Sequence, residues 1–194
     1  MKILFLAPIA LATWFAVRST PSAPAAEDAT WVVDPVHSSV VFKIKHANCA
    51  WFYGMFNHVE GSITEADDPE NCKVELKIDV DSLDARNPDR DKHLRSPDFF
   101  DAKQYPTITF TSTKVVAKGD AFEVTGDLKL HGKTKSITAV ASKTGEGEFH
   151  GKRAGFETRL TIKRSDFGMD YGIAQNVLGD EVELWISLEC TQAT

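Results

Sequence analysis

Phe122-Glu123-Val124-Thr125-Gly126-Asp127-Leu128-Lys129-Leu130 places an apolar or small residue at every even position and a polar one at every odd position. That is a period of two, the mark of a strand with one buried and one wet face, where a helix would repeat at 3.6. Lys118-Gly119-Asp120 before it and His131-Gly132-Lys133 after it are turn chemistry. The stretch therefore reads as one complete strand of an antiparallel sheet.

The same alternation recurs outward in both directions. Val40, Phe42 and Ile44 precede it, as do Val74, Leu76, Ile78 and Val80, and Ile108 with Phe110. Phe156, Thr158, Leu160 and Ile162 follow it, then Val182, Leu184, Ile186 and Leu188. With Tyr53 to Thr64 and Ser136 to Lys143 added, about eight strands are visible. Asp67 to Asn71 and Gly145-Glu146-Gly147 supply further turns. One segment differs: Asn87 is a capping residue, Pro88 suits the first helical position, and Asp91 to Arg95 continue helically until Ser96-Pro97. The expected fold is all-β, an antiparallel eight-stranded barrel with one short helix between strands, since closure hides the edges of so many hairpins. A barrel of that size fills itself with side chains or encloses one small ligand.

Of the 194 residues, 22 are basic and 28 acidic, a net charge of −6. Lys2 and Arg18 precede the first acidic residue, Glu27, so without residues 1–25 the balance is 20 against 28. Such a body binds no nucleic acid, whose affinity comes from Lys and Arg, and an anionic bilayer repels it. Lys2 followed by the uncharged apolar run Ile3 to Val17 and the small residues Ala23 and Ala25 is a signal-peptide pattern. The expected division is a leader over 1–25 and a barrel domain over 26–194, periplasmic or secreted, with no stable membrane anchor. The alternative is an uncleaved anchor, for which Pro24 at the cleavage site speaks. Against it, the run falls short of the roughly 20 residues a span needs.

The chemistry-bearing residues are sparse. The six histidines, His37, His46, His58, His93, His131 and His150, form no H-x-H or H-E-x-x-H spacing, so no metal site is expected. No catalytic motif appears, and Asp166-Phe167-Gly168 lacks the companions that a kinase needs. His37, after Asp34-Pro35, reads as a hydrogen-bonding residue at a strand start. Up-and-down strand order puts Cys49 at one barrel end and Cys72 and Cys190 at the other, the latter two separated by intervening strands. Three free thiols are expected, because a bond needs Cα atoms within about 7 Å.

Five blocks occur in order: Asp34-Pro35-Val36-His37-Ser38-Ser39-Val40; His93 to Asp101 followed by Tyr105 to Phe110; Gly126 to Lys135; Arg164 to Gly168; and Gly179 to Val182. Together they resemble the YceI family of lipid- and polyisoprenoid-binding proteins, over Trp31 to Thr191. The resemblance implies a lipocalin-like barrel, exported, that holds a long apolar chain: a polyisoprenoid, an isoprenoid quinone or a fatty-acid derivative. It implies a polyprenyl or fatty lipid as partner, no cofactor and no catalytic residue, in a monomer or homodimer.

On that reading the apolar wall is Phe42, Ile44, Phe56, Phe110, Phe122, Leu128 and Leu160, with Phe99 and Phe100 behind the helix. Ala139 and Ala141 are smaller than the residues expected on that face. The polar end is His93, Arg95, Arg164 and Asp166. Alternatives stay open from the residues alone. The phenylalanines equally suit a self-filled barrel acting as a structural or partner-binding module. The helix is either a lid or a plain crossover plugging one end. Arg164 and Asp166 either meet a head group or brace the barrel by pairing with each other or with the helix.

Overall fold

A computed structural model describes residues 28–193. The leader expected over 1–25 lies outside the described residues. In chain order the strands are β1 (Ala29–Val33), β2 (Ser39–His46), β3 (Ala50–Phe56), β4 (Val59–Glu65), β5 (Lys73–Asp79) and β6 (Leu83–Asp84). Helix α1 (Pro88–Leu94) intervenes, and β7 (Thr107–Lys118), β8 (Ala121–Leu130), β9 (Lys133–Glu148), β10 (Lys152–Lys163) and β11 (Leu178–Gln192) follow.

Eight strands make the wall. β1 and β2 both pair with β11, through Val33↔Cys190 and Ser39↔Ser187 among others, so they are two halves of one strand interrupted near Asp34. β3 and β4 are likewise two halves, because β3 pairs with β2 and β4 with β1. Every neighbour in the order β4, β5, β7, β8, β9, β10, β11 is antiparallel, and β11 returns to β1 and β2. The barrel is closed, with last strand against first. β6 adds two residues to β3.

The register follows the alternation. Val40↔Phe56, Phe42↔Gly54 and Ile44↔Phe52 align the inward sets of β2 and β3, and a slip of one residue would turn all of them to solvent. Asn87 caps α1 as its sequence suggests, its side-chain oxygen accepting from the Arg90 N–H at 2.9 Å, with Pro88 in the first turn.

Two features differ from expectation: Val80, read as the end of a strand, opens a 3-10 turn (Val80–Ser82) instead, and one expected turn is absent. Gly145-Glu146-Gly147 is no turn; β9 runs through it to Glu148, and the hairpin reverses at Phe149 to Gly151. Both faces of this stretch are exposed, so neither carries an apolar signal. Further along, the β9–β10 ladder stops at Arg159↔Val140. Beyond it β9 stays paired to β8 down to Lys133, and β10 to β11 up to Lys163, but not to each other. The 3-10 turn Arg164–Phe167 sits against the freed start of β9: the His131 ring bonds the Phe167 carbonyl at 3.0 Å.

Two ends are thereby defined. The turn at Ala47 to Cys49, α1, His131-Gly132 and residues 164–177 lie at the helix end. The loops around Ala66 to Cys72, Gly119-Asp120 and Phe149 to Gly151 lie at the opposite, turn end. Cys49 is exposed at the helix end, Cys72 is half-buried at the turn end, and Cys190 is buried late in β11; all three are free thiols.

Candidate functional site

The inward faces enclose a cavity of about 530 Å³. Phe42, Ile44, Phe56, Phe99, Phe100, Phe110, Phe122, Leu128 and Leu160 all line it, as do Ala139 and Ala141, whose small side chains leave room on the β9 side. Close approach shapes the wall. A Cβ on Gly54 would lie 2.2 Å from the tip of the Phe42 ring, and one on Gly126 2.5 Å from that of Phe110. The tip of each ring therefore occupies the space that a glycine of a neighbouring strand leaves open.

At the helix end α1 contributes Arg90, His93 and Leu94 to the cavity lining, and the 164–177 segment contributes Arg164, Met169, Tyr171 and Val177. His93, Phe99 and Tyr171 form a cluster of rings with centroids 5.0 to 5.2 Å apart. His93 is oriented by Asp98, Nε2 to Oδ2 at 2.8 Å. Arg164 is 3% exposed and donates to four carbonyls: Nε to Gly179 (2.7 Å), Nη1 to Met169 (2.7 Å), and Nη2 to Tyr171 (2.8 Å) and Leu178 (3.2 Å). Burial lowers its pKa, against the pull of Asp180 and Asp170.

Of the four polar-end residues, the structure brings His93 and Arg164 to the cavity but not Arg95 and Asp166. Arg95 ties the end of α1 back to the carbonyls of Asp81 (2.9 Å) and Leu83. Asp166 is exposed and does not pair with Arg164. Both belong to one 3-10 turn, where residues two apart do not face each other, so the expected mutual pairing fails. Arg164 braces the barrel end through backbone carbonyls instead. His37 is the strand-start hydrogen-bonder expected of it, its Nδ1 bonding Asp34 at 2.9 Å.

The turn end holds a polar group that the sequence reading missed. Glu65 lines the cavity and accepts from Lys143 and from the Trp31 indole, both at 2.6 Å. Lys143 also pairs with Glu146 at 2.5 Å. Burial opposes the Lys143 ammonium, yet its bonds to Glu146 and Glu65 outweigh that and raise its pKa. Strand parity carried the signal: Ile137, Ala139 and Ala141 face in, and Lys143 continues the same face.

A closed antiparallel barrel of eight strands around a largely apolar cavity is lipocalin-like. The chain belongs to the YceI family: the YceI-like domain model matches residues 31–190. Among curated relatives, a UPF0312 protein of Pseudomonas aeruginosa is 44% identical, covering 79% of this chain and 81% of its own. Protein YceI of Escherichia coli O157:H7 is 43% identical, covering 80% and 82%. Among solved structures, Burkholderia cenocepacia BcnA aligns with TM-score 0.72 at 28% identity, covering 82% of this chain and 99% of that one. A polyisoprenoid-binding domain from Saccharophagus degradans, implicated in plant cell wall breakdown, shares the fold with TM-score 0.66 at 19% identity, covering 84% and 98%.

Proposed function

We propose that the protein binds one long apolar chain inside its barrel, for transport, storage or sequestration outside the cytoplasm. The chain is a polyisoprenoid, an isoprenoid quinone or a fatty-acid derivative. The observation that carries this reading is the cavity of about 530 Å³, walled by Phe, Leu, Ile and Val. That volume lies in the range of ligand sites, and a few polar groups beside an apolar wall are their usual composition. Each CH₂ moved from water onto such a wall contributes about 0.8 kcal/mol. The structural neighbour described as polyisoprenoid-binding supports the same class of ligand. The role is binding without chemical conversion, in a monomer or homodimer.

Native mass spectrometry and solvent extraction of protein purified from its exported fraction test this. A co-purifying lipid, or uptake of an added prenyl probe, is the expected result. Protein that carries no lipid and takes up no probe would make the barrel a structural or partner-binding module.

A further inference from the structure

The cavity is polarised along its length. Towards the helix end its lining includes His46, Arg90, His93, Arg164 and Tyr171, every one a donor or a cation. The carboxylate that lines the turn end, Glu65, is already engaged by Lys143 and Trp31. The other acidic residue in the lining, Glu157, sits in the middle of β10, opposite Ser142 and Ser187.

Arg164 is the centre of this asymmetry. Four of its five N–H groups are spent on carbonyls of the 169–179 segment, which fixes the guanidinium. One Nη1 hydrogen is left over. Among the described residues no carboxylate comes within ion-pair distance of it, and both oxygens of Asp180 bond the Ser165 N–H and hydroxyl (2.9 and 2.8 Å). Carbonyl dipoles hold a guanidinium in place without cancelling its charge. A buried cation in an apolar enclosure is stabilised most by an anion with matching acceptors. The rim adds Arg90, whose guanidinium lies 4.5 Å over the Phe52 ring, and the His93 ring, which is hydrogen-bonded to Asp98.

We propose that the ligand is a single-chain amphiphile with an anionic head, a carboxylate or a phosphate, bound with the head beside Arg164 and the tail running towards Glu65. This rests on the lipid-binding reading and narrows it: a neutral alcohol or quinone head offers Arg164 a hydrogen bond but no counter-charge.

Chain-matched pairs test it on delipidated protein. Hexadecanoate is compared with hexadecanol, and geranylgeranyl phosphate with geranylgeraniol, by displacement of a fluorescent acyl probe. The anion of at least one pair is expected to bind about tenfold tighter than its alcohol, the margin of a charge-assisted over a neutral hydrogen bond. Preference in the phosphate pair alone, or in the carboxylate pair alone, identifies the head. In Arg164→Gln the ratio of anion to alcohol is expected to fall towards one, while a purely structural role would weaken both in parallel. Alcohols that match their anions in the wild type overturn the inference, as does a ratio that survives in Arg164→Gln. If Arg164→Gln does not fold, Arg164→Lys replaces it, expected to keep the anion preference because the charge remains. A wild type that binds none of the four compounds defeats the lipid-binding reading itself, a separate outcome.

Discussion

Gly54 and Phe42 face each other across β2 and β3, and the wall depends on the missing side chain. In Gly54→Ala the new methyl would lie 2.2 Å from the end of the Phe42 ring, which must shift to make room and is expected to intrude on the lumen that it lines. Overpacking of this kind costs about 1–3 kcal/mol. The variant is expected to fold with a lowered melting temperature and reduced lipid occupancy, and Phe42→Leu in the same chain to restore both. Thermal melts with lipid extraction read the two effects. Gly126→Ala behaves differently, since its Cβ would also lie 2.5 Å from the Thr111 carbonyl oxygen, which cannot swing away.

Asp34 holds the break between β1 and β2. One carboxylate oxygen accepts from His37 (2.9 Å) and Arg153 (2.8 Å), the other from the Val36 N–H (2.9 Å). These bonds, His37 first and Arg153 second, hold its pKa well below the ordinary carboxylate range. The unfolded chain therefore takes up a proton before the folded one does. The stabilisation is complete above about pH 4 and is lost progressively as pH falls below that towards the folded value. Asp34→Asn is expected to cost about 1 kcal/mol at neutral pH, with the gap to wild type narrowing below pH about 4. Urea midpoints at pH 7 and pH 3 check the sign; a gap that widens at low pH would contradict it.

Among the elements, the turns decide thiol chemistry. Cys49 lies on the exposed β2–β3 turn, whereas the Cys72 Sγ accepts from the Ala66 N–H at 3.4 Å inside the β4–β5 loop. Cys190 is buried in β11, and burial pushes its thiol up to about 12. A disulfide-exchange reagent should find one fast thiol, one slow one, and a third only on unfolding, with Cys49→Ser abolishing the fast phase. Two fast thiols in the folded protein would show that the β4–β5 loop is open.

How much of these elements the sequence discloses depends on burial. Wherever one face of a strand is covered, as along Phe122 to Leu130, alternation reveals both the strand and its inward side. The far part of β9 is wet on both faces, so its glycines read as a turn. Arg164 and Asp166 read as partners because opposite charges lie close in sequence. The carbonyls that hold Arg164 belong to a segment whose path no side-chain pattern announces. Arg90 and Tyr171 went unnoticed for the same reason: they reach the cavity from α1 and a loop, outside the strand period.

At the scale of the molecule, inward position outweighs the identity of any one phenylalanine. Phe110→Asp or Phe42→Asp sets a carboxylate into the apolar wall without a counter-charge, and burial of an unpaired ion is heavily opposed. Either variant is expected to lose bound lipid and some stability. Lipid extraction from the folded variant, with a melt alongside, measures both. Full occupancy in a folded Phe110→Asp protein would mean that the lumen is not where the chain lies.

The ladder between β9 and β10 ends at Arg159↔Val140, well short of the helix end. The barrel is therefore less a pipe than a sleeve left unbuttoned at the cuff. Widening a fully laced cylinder breaks backbone hydrogen bonds, each worth about 1 kcal/mol net. Parting Lys133 to Ala139 from Leu160 to Lys163 breaks none between them. The girth of what enters would then be limited by side-chain packing along that one line and by the His131–Phe167 bond at its mouth, so bulkier, methyl-branched chains are expected to be admitted without unravelling a strand.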